Sequence, residues 1–349
     1  MTKIPQGLAE YRAVLDDTLQ AVMNNARGRF PDLSDRSAKC FELLTEYVLR
    51  PGKRIRGSLL AAAYDDAAGE DRFHEIGLRA GAALEIVQAY LLMVDDVMDE
   101  SQLRRGKPTV HRLYEELFRS SPREAEMATI LLGAITQTIA TDTICALEAP
   151  TDVVREVVRW LHYDIALTNI GQLDDISQTA VNRPAYADMV RRYQQKTSYY
   201  TFVGPITIGR TLAGEEDVRT KAEAFGVPAG MAFQLSDDIL GIFGEPEVTG
   251  KSNLDDMQEG KYTFLVHYAL EGVDASQYAQ LMTILGDRSA GEQELSIVRE
   301  IIETTGALTR VKADAMSYAD SAVRATEVWP GAFGELLTEI VRFSTERGV

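Results

Sequence analysis

The sequence predicts an all-α fold, and three observations carry that prediction. Apolar residues recur at helical spacing along nearly the whole chain, and proline or glycine closes several of these stretches. The short β-branched runs that would signal strands lie inside helical spacing. Over 349 residues, typical helix and loop lengths give about ten core helices in an up-and-down bundle. Length alone suggests two domains. No Pro/Ser-rich tract or long single-sign block marks a linker, however, so residues 1–349 read as a single domain.

The elements follow in order. Residues 1–30 place Leu8, Tyr11, Leu15, Leu19 and Val22 on one stripe, and Pro31 closes that helix. A second helix covers 35–49 with Cys40, Phe41, Leu44, Tyr47 and Val48. Pro51 and Gly52 stop it, and the turn delivers Lys53, Arg54 and Arg56. An Ala-rich helix spans 58–66, with a loop at 69–71. The apolar run from Leu84 carries Asp95, Asp96 and Asp99, and 101–122 reads as a polar, basic, mobile connection. Helices are expected over 125–147, ending near Pro150, then 152–175, 184–210 and, after a turn at 213–216, 218–243. A glycine- and charge-bearing loop covers 244–261. Helices over 262–270, 275–285, 292–304 and 307–325 precede Pro330 and Gly331, and a last one runs to Arg342. No short internal repeat is evident.

Bulk properties exclude several classes. A formal charge of −17 argues against a nucleic-acid partner, which selects basic surfaces. The longest uncharged runs are broken by polar residues and glycine, so no integral membrane segment is expected. The N-terminal residues carry acids early and show no apolar signal core. The two cysteines, Cys40 and Cys145, match no metal spacing and read as buried thiols in a reducing cytoplasm.

The chemistry concentrates in LEIVQAYLLMVDDVMDESQLRRGKPT at 84–109. Asp95 and Asp99 are four residues apart, which puts both carboxylates on one helix face, one turn apart. Two like charges there give the helix nothing, whereas a hard cation removes their repulsion. Mg²⁺ takes oxygen ligands, usually one or two carboxylates plus substrate phosphate. Arg104, Arg105 and Lys107 follow, suited to phosphate oxygens. The plain alternative is a solvated helix end. Two features oppose it. The acids end an apolar run rather than lying on a polar face. A second pair, Asp237 and Asp238, lies in another apolar run, GVPAGMAFQLSDDILGIFG at 226–244. Two such runs facing each other would make a metal cage above an apolar cavity, fitting a metal-bridged diphosphate with an apolar tail.

These stretches closely resemble the trans-isoprenyl diphosphate synthases of the polyprenyl synthetase family. The matching segments are GKRIRG at 52–57, LEIVQAYLLMVDDVMDESQLRRGKPTVH at 84–111, GQLDD at 171–175, QKT at 195–197, FQLSDDILGIFG at 233–244 and VTGK at 248–251. The resemblance implies an isoprenoid-synthase bundle around a central apolar cavity, more than one Mg²⁺ ion and a homodimer. It implies Asp95 and Asp99 as metal ligands with Asp96 in support, and Asp237 with Asp238 beside it as the second ligand pair. Arg104, Lys196, Thr197, Gln234 and Lys251 would hold the allylic diphosphate, and Lys261 would approach when the 244–261 loop closes. Lys53, Arg56, Gln88 and Arg105 would hold isopentenyl diphosphate, with Gly52 shaping the turn. Gln172 and Asp175 would sit behind, with Asp175 orienting Lys196. Two departures stand out. Many relatives have DDxxD as the second motif, but here position 241 is glycine, which leaves Asp237 and water to bind the metal. Many bacterial relatives carry histidine where Gln88 stands.

The implied reaction joins isopentenyl diphosphate to dimethylallyl, geranyl or farnesyl diphosphate. The metal and fixed cations stabilise the leaving diphosphate, and the lids at 101–122 and 244–261 exclude water. In the family, one aromatic five positions before the first Asp with a smaller residue at the fourth resembles enzymes that stop at twenty carbons. Tyr90 and Leu91 fit that pattern. The alternatives are a farnesyl or longer-chain synthase, a class I terpene cyclase, or a non-catalytic partner subunit. A cyclase would need an Asn/Asp-Ser/Thr-Glu triad that FQLSDDILGIFG lacks. A partner subunit would usually have lost an Asp motif or the basic turn.

Overall fold

The computed structural model describes residues 4–69, 72–244 and 253–345. It is all-α apart from one two-stranded ribbon among these residues. The chain divides into two compact units.

The first unit comprises Gln6–His162 and Gly204–Val218. It contains α1 (Gln6–Gly28), α2 (Asp35–Leu49), α3 (Ile55–Ala68), α4 (Glu75–Met98), α5 (Val110–Phe118), α6 (Pro122–Cys145) and α9 (Gly204–Leu212). The α7 helix (Thr151–Ser177) begins in this unit. Helix α1 buries Leu8, Tyr11, Leu15, Leu19 and Met23. The last step of the stripe is therefore i+4, to Met23, and the expected Val22 stands beside it. Helix α4 packs against α1, α3 and α6. Its approach to α3 depends on two glycines. A Cβ on Gly57 would meet the Gly81 carbonyl oxygen at 2.7 Å, and one on Gly81 would meet the Gly57 carbonyl oxygen at 2.5 Å. At the same crossing the buried Glu85 accepts a 3.0 Å hydrogen bond from the Gly57 N–H.

The second unit holds Tyr163–Val203 and the chain from Arg219 onward. It contains the rest of α7, α8 (Tyr186–Tyr193), a π-helical segment Gln194–Val203 and α10 (Val218–Phe243). After these come α11 (Asp255–Glu259), α12 (Phe264–Gly272), α13 (Ala275–Ile284), α14 (Glu292–Thr304), α15 (Ala307–Ala325) and α16 (Ala332–Thr345). Its core gathers Met189, Tyr193, Leu235, Ile239, Phe264 and Leu295 among others.

Several expectations need correction. The 101–122 connection carries regular structure. Strand β1 (Leu103–Arg104) pairs antiparallel with β2 (Lys107–Pro108). Arg105 and Gly106 both take positive φ, 55° and 72°, the twist a two-residue hairpin requires. Helix α5 follows, and the Ser121 hydroxyl caps α6 by accepting from the Glu124 N–H. The 184–210 helix is not uniform. It widens at Gln194, and α-geometry resumes at Gly204-Pro205. The 244–261 loop contains α11. Cys40 is half-buried and Cys145 exposed. Helices α4 and α6 are both long and apolar enough to cross a membrane by length and composition. In α4 67% of that window is buried inside the protein, and in α6 44%.

The Gly57–Gly81 crossing generates a prediction. Gly81→Ala inserts a methyl against backbone that cannot yield, so it should lower stability by about 1–3 kcal/mol. Thermal unfolding of the metal-free protein checks this, and an unchanged midpoint would contradict it.

Candidate active site

The first acidic motif lies at the C-terminal end of α4, and Asp99 is its C-cap. A helix C-terminus already carries partial negative charge, so three carboxylates there oppose the dipole. The structure resolves this by dividing their roles. Asp96 is fully buried. It accepts from the Tyr47 hydroxyl at 2.6 Å and from Arg104 Nε at 2.6 Å. Arg104 also reaches Asp95 Oδ2 at 3.2 Å. Burial works against the Arg104 charge, but Asp96 and Asp95 outweigh it and raise its pKa. Arg104, expected as a diphosphate ligand, is thus itself buried and tied to the acidic motif. Asp95 and Asp99 share the remaining face of the turn. Their hard oxygen donors suit Mg²⁺. Among the described residues no three carboxylate, imidazole or thiol groups converge on one point, and Mg²⁺ keeps waters and substrate phosphates rather than filling an all-protein cage.

The basic turn lies between α2 and α3. A Cβ on Gly52 would meet the Arg105 guanidinium carbon at 2.9 Å, so glycine there lets Arg105 lie across the backbone. Arg105 Nη1 donates to the Arg50 carbonyl at 2.9 Å. Burial, and then the neighbouring Arg54, lower the Arg105 pKa against a smaller opposing pull from Glu85. Arg54 itself turns inward. It adopts φ 51°, is buried, and pairs with Asp16 at 2.8 Å and Glu85 at 3.5 Å. Lys53 remains exposed and Arg56 half-buried. Gln88 follows Glu85 by three residues on α4 and is half-buried. Gly52 and Arg105 are thus in contact.

The second acidic motif repeats the device in the second unit. Asp238 is buried in α10. It accepts from the Tyr193 hydroxyl and, at 2.9 Å, from Gln234 Nε2. The Thr197 hydroxyl donates to Gln234 Oε1 at 2.6 Å. Burial, and then the negative charge of Asp256, push the Asp238 carboxyl up to about 7. Both its oxygens are engaged within the protein, so Asp238, expected as a ligand beside Asp237, matches Asp96 in placement. Lys196 donates to Asp175 at 2.5 Å, and Arg192 approaches the same carboxylate at 3.4 Å. Burial would raise the Asp175 pKa, but Lys196, Lys261 and Arg192 together hold it below the ordinary range. Lys261 also pairs with Glu259 at 2.5 Å.

The π-helical segment that carries Lys196 and Thr197 is admitted by glycines on both neighbours. A Cβ on Gly171 of α7 would meet the Lys196 nitrogen at 2.7 Å, and one on Gly226 of α10 the Val203 nitrogen at 2.8 Å. On α4, Tyr90 and Leu91 are half-buried. The Tyr90 ring lies against α6 where a Cβ on Gly133 would meet its Cδ2 at 3.1 Å. Lys251 and the VTGK segment lie outside the described residues. Sequence reasoning missed the tyrosines. Each stands 45–49 residues before its aspartate, a separation that only the folded chain brings together.

Tyr47→Phe removes the hydroxyl from a buried carboxylate. It should cost about 1–3 kcal/mol of stability with helical content unchanged. Urea unfolding followed by circular dichroism measures the cost, and wild-type stability would show that the hydroxyl does not secure Asp96.

Comparison with known proteins agrees with this arrangement. The family model for polyprenyl synthetase matches residues 38–303. The geranylgeranyl diphosphate synthase of Sulfolobus acidocaldarius is 32% identical over 76% of this chain and 77% of its own. The (2E,6E)-farnesyl diphosphate synthase of Mycobacterium tuberculosis is 29% identical over 78% and 72%. A crystal structure of geranylgeranyl pyrophosphate synthase from Corynebacterium glutamicum, complexed with isoprenyl diphosphate and magnesium, superposes with a TM-score of 0.91. It shares 27% identity and covers 97% of this chain and 99% of its own. With its two anchored aspartate motifs and its glycine-shaped basic turn, the chain belongs to the polyprenyl synthetase family and is a trans-prenyltransferase.

Proposed function

We propose that the enzyme is a geranylgeranyl diphosphate synthase that adds isopentenyl diphosphate to allylic diphosphates and stops at twenty carbons. The observation that carries the chain length is the half-buried Tyr90 ring, seated against Gly133 of α6 one turn before the first acidic motif. The smaller Leu91 stands next to it. An aromatic side chain there limits the space for a growing apolar tail, and Leu91 leaves more room than a second aromatic would.

Asp95 and Asp99 in one motif, and Asp237 in the other, would hold Mg²⁺, the natural counter-charge for an allylic diphosphate. Bound there, Mg²⁺ neutralises charge that develops on the departing diphosphate. Lys196, aimed by Asp175, and Thr197, held against Gln234, orient the same group. Lys251 and Lys261 add positive charge to it. Lys53, Arg56, Gln88 and Arg105 hold the diphosphate of isopentenyl diphosphate, with Gly52 admitting the Arg105 guanidinium. No side-chain nucleophile is needed, and the released diphosphate accepts the proton. The enzyme works in the cytoplasm as a homodimer. The exposed apolar stripe Met127, Ile130, Leu131 and Ile135 on α6 supports a second copy as its cover.

Purified protein with Mg²⁺, labelled isopentenyl diphosphate and allylic primers tests the reading directly. A linear twenty-carbon product supports it. A fifteen-carbon or longer product corrects the chain length, a cyclic product points to a cyclase, and no turnover points to a partner subunit. Asp95→Ala and Asp237→Ala should each lower kcat/KM at least about a hundredfold while keeping the helical circular-dichroism spectrum. Tyr90→Ala should lengthen the product, and an unchanged distribution would remove Tyr90 from the chain-length determinants.

A further inference from the structure

Helix α2 ends in a buried arginine. Arg50 is its C-cap and only 2% exposed, although a guanidinium taken out of water is costly unless its partners are close. Those partners lie in one place. Arg50 Nε donates to Glu46 Oε2 at 2.9 Å, one turn back on α2, and Nη1 donates to the Arg104 carbonyl at 3.3 Å. The guanidinium carbon stands 4.8 Å from the centre of the Tyr47 ring. The Arg50 carbonyl accepts from Arg105 Nη1 at 2.9 Å and from Arg54 Nη2 at 3.0 Å. The other Glu46 oxygen accepts from Lys107 Nζ at 2.8 Å. Burial works against the Glu46 charge, but Arg50 and Lys107 outweigh it and lower its pKa. Glu46 and Arg50 together thus touch positions 104, 105 and 107 of the β1–β2 hairpin.

Such a clamp answers a backbone cost. Arg105 takes φ 55°, a left-handed conformation that an L side chain adopts at a penalty and that glycine or asparagine takes more readily. The Arg104 carbonyl belongs to the peptide that leads into Arg105, so the bond from Arg50 fixes the plane from which that left-handed residue starts. The Arg50 carbonyl then receives the far end of the Arg105 side chain. Arg50 therefore holds Arg105 at both its backbone and its tip. Arg104 differs, since Asp95 and Asp96 hold its guanidinium independently. We propose that Arg50 is a positioning residue for isopentenyl diphosphate, which sets the Arg105 guanidinium over Gly52 with Glu46 as its own anchor. This rests on the assignment of Arg105 to isopentenyl diphosphate above. Arginine suits the task because its planar fork reaches Glu46 and the Arg104 carbonyl at once, which a point-charge ammonium does not do in the same geometry.

Steady-state kinetics with each substrate varied in turn, beside thermal unfolding, tests this. Arg50→Lys keeps the positive charge but loses the fork. It should raise the KM for isopentenyl diphosphate about tenfold, with kcat and the KM for the allylic primer close to wild type. Arg105→Gln removes the cation itself and should raise the same KM at least as far. In the double variant the Arg50→Lys effect should vanish, because a residue that acts through Arg105 has nothing left to position. Glu46→Gln keeps the shape and one acceptor and should raise the same KM by less; it takes the place of Arg50→Lys in the cycle if that variant does not fold. Wild-type KM in Arg50→Lys, with a raised KM in Arg105→Gln, overturns this inference alone, whatever the unfolding midpoint does. Wild-type KM in both overturns the Arg105 assignment with it. Additive effects in the double variant also overturn the inference, because Arg50 would then act by a route other than Arg105.

Discussion

Each acidic motif depends on one carboxylate being held inside the protein. A buried charge is costly unless it is paired and hydrogen-bonded. Asp96 meets that demand with a phenol and a guanidinium, from Tyr47 and Arg104. Asp238 has a phenol and an amide, from Tyr193 and Gln234, with partial balance from Arg192 stacked over the Tyr193 ring.

Close backbone approach is the second constraint. Gly57 and Gly81 bring α3 against α4, and Glu85 uses the proximity to hold both the Gly57 N–H and Arg54. The basic turn is therefore braced from α4, the helix that ends in the first motif. Gly52 does for Arg105 what Gly171 does for Lys196, since each removes a side chain so that a cation-bearing backbone or guanidinium can come close.

Much of this was legible from sequence. The all-α class followed from helical spacing, and both aspartate pairs were visible because acids interrupted apolar runs. What the sequence concealed has physical reasons. The Tyr47 and Tyr193 anchors read as ordinary apolar stripe residues, because a phenol serves core packing and hydrogen bonding equally. Arg54 looked like one of three anion-seeking cations, yet its left-handed backbone turns it inward. The β1–β2 hairpin hid in a charged stretch because Arg105, rather than asparagine or glycine, takes the first positive φ. The widening at Gln194 left no mark in periodicity, since the glycines that permit it belong to other helices.

The turn that spans 192–197 serves two neighbours at once. Arg192 and Lys196 reach Asp175 on α7, while Tyr193 and Thr197 reach Asp238 and Gln234 on α10. Adjacent residues thus work on opposite sides of a single coil. Any rewinding of that coil moves both sets of contacts together, like two cams on one shaft. The seating of Lys196 on Asp175 and that of Tyr193 on Asp238 are geared to each other by backbone winding alone.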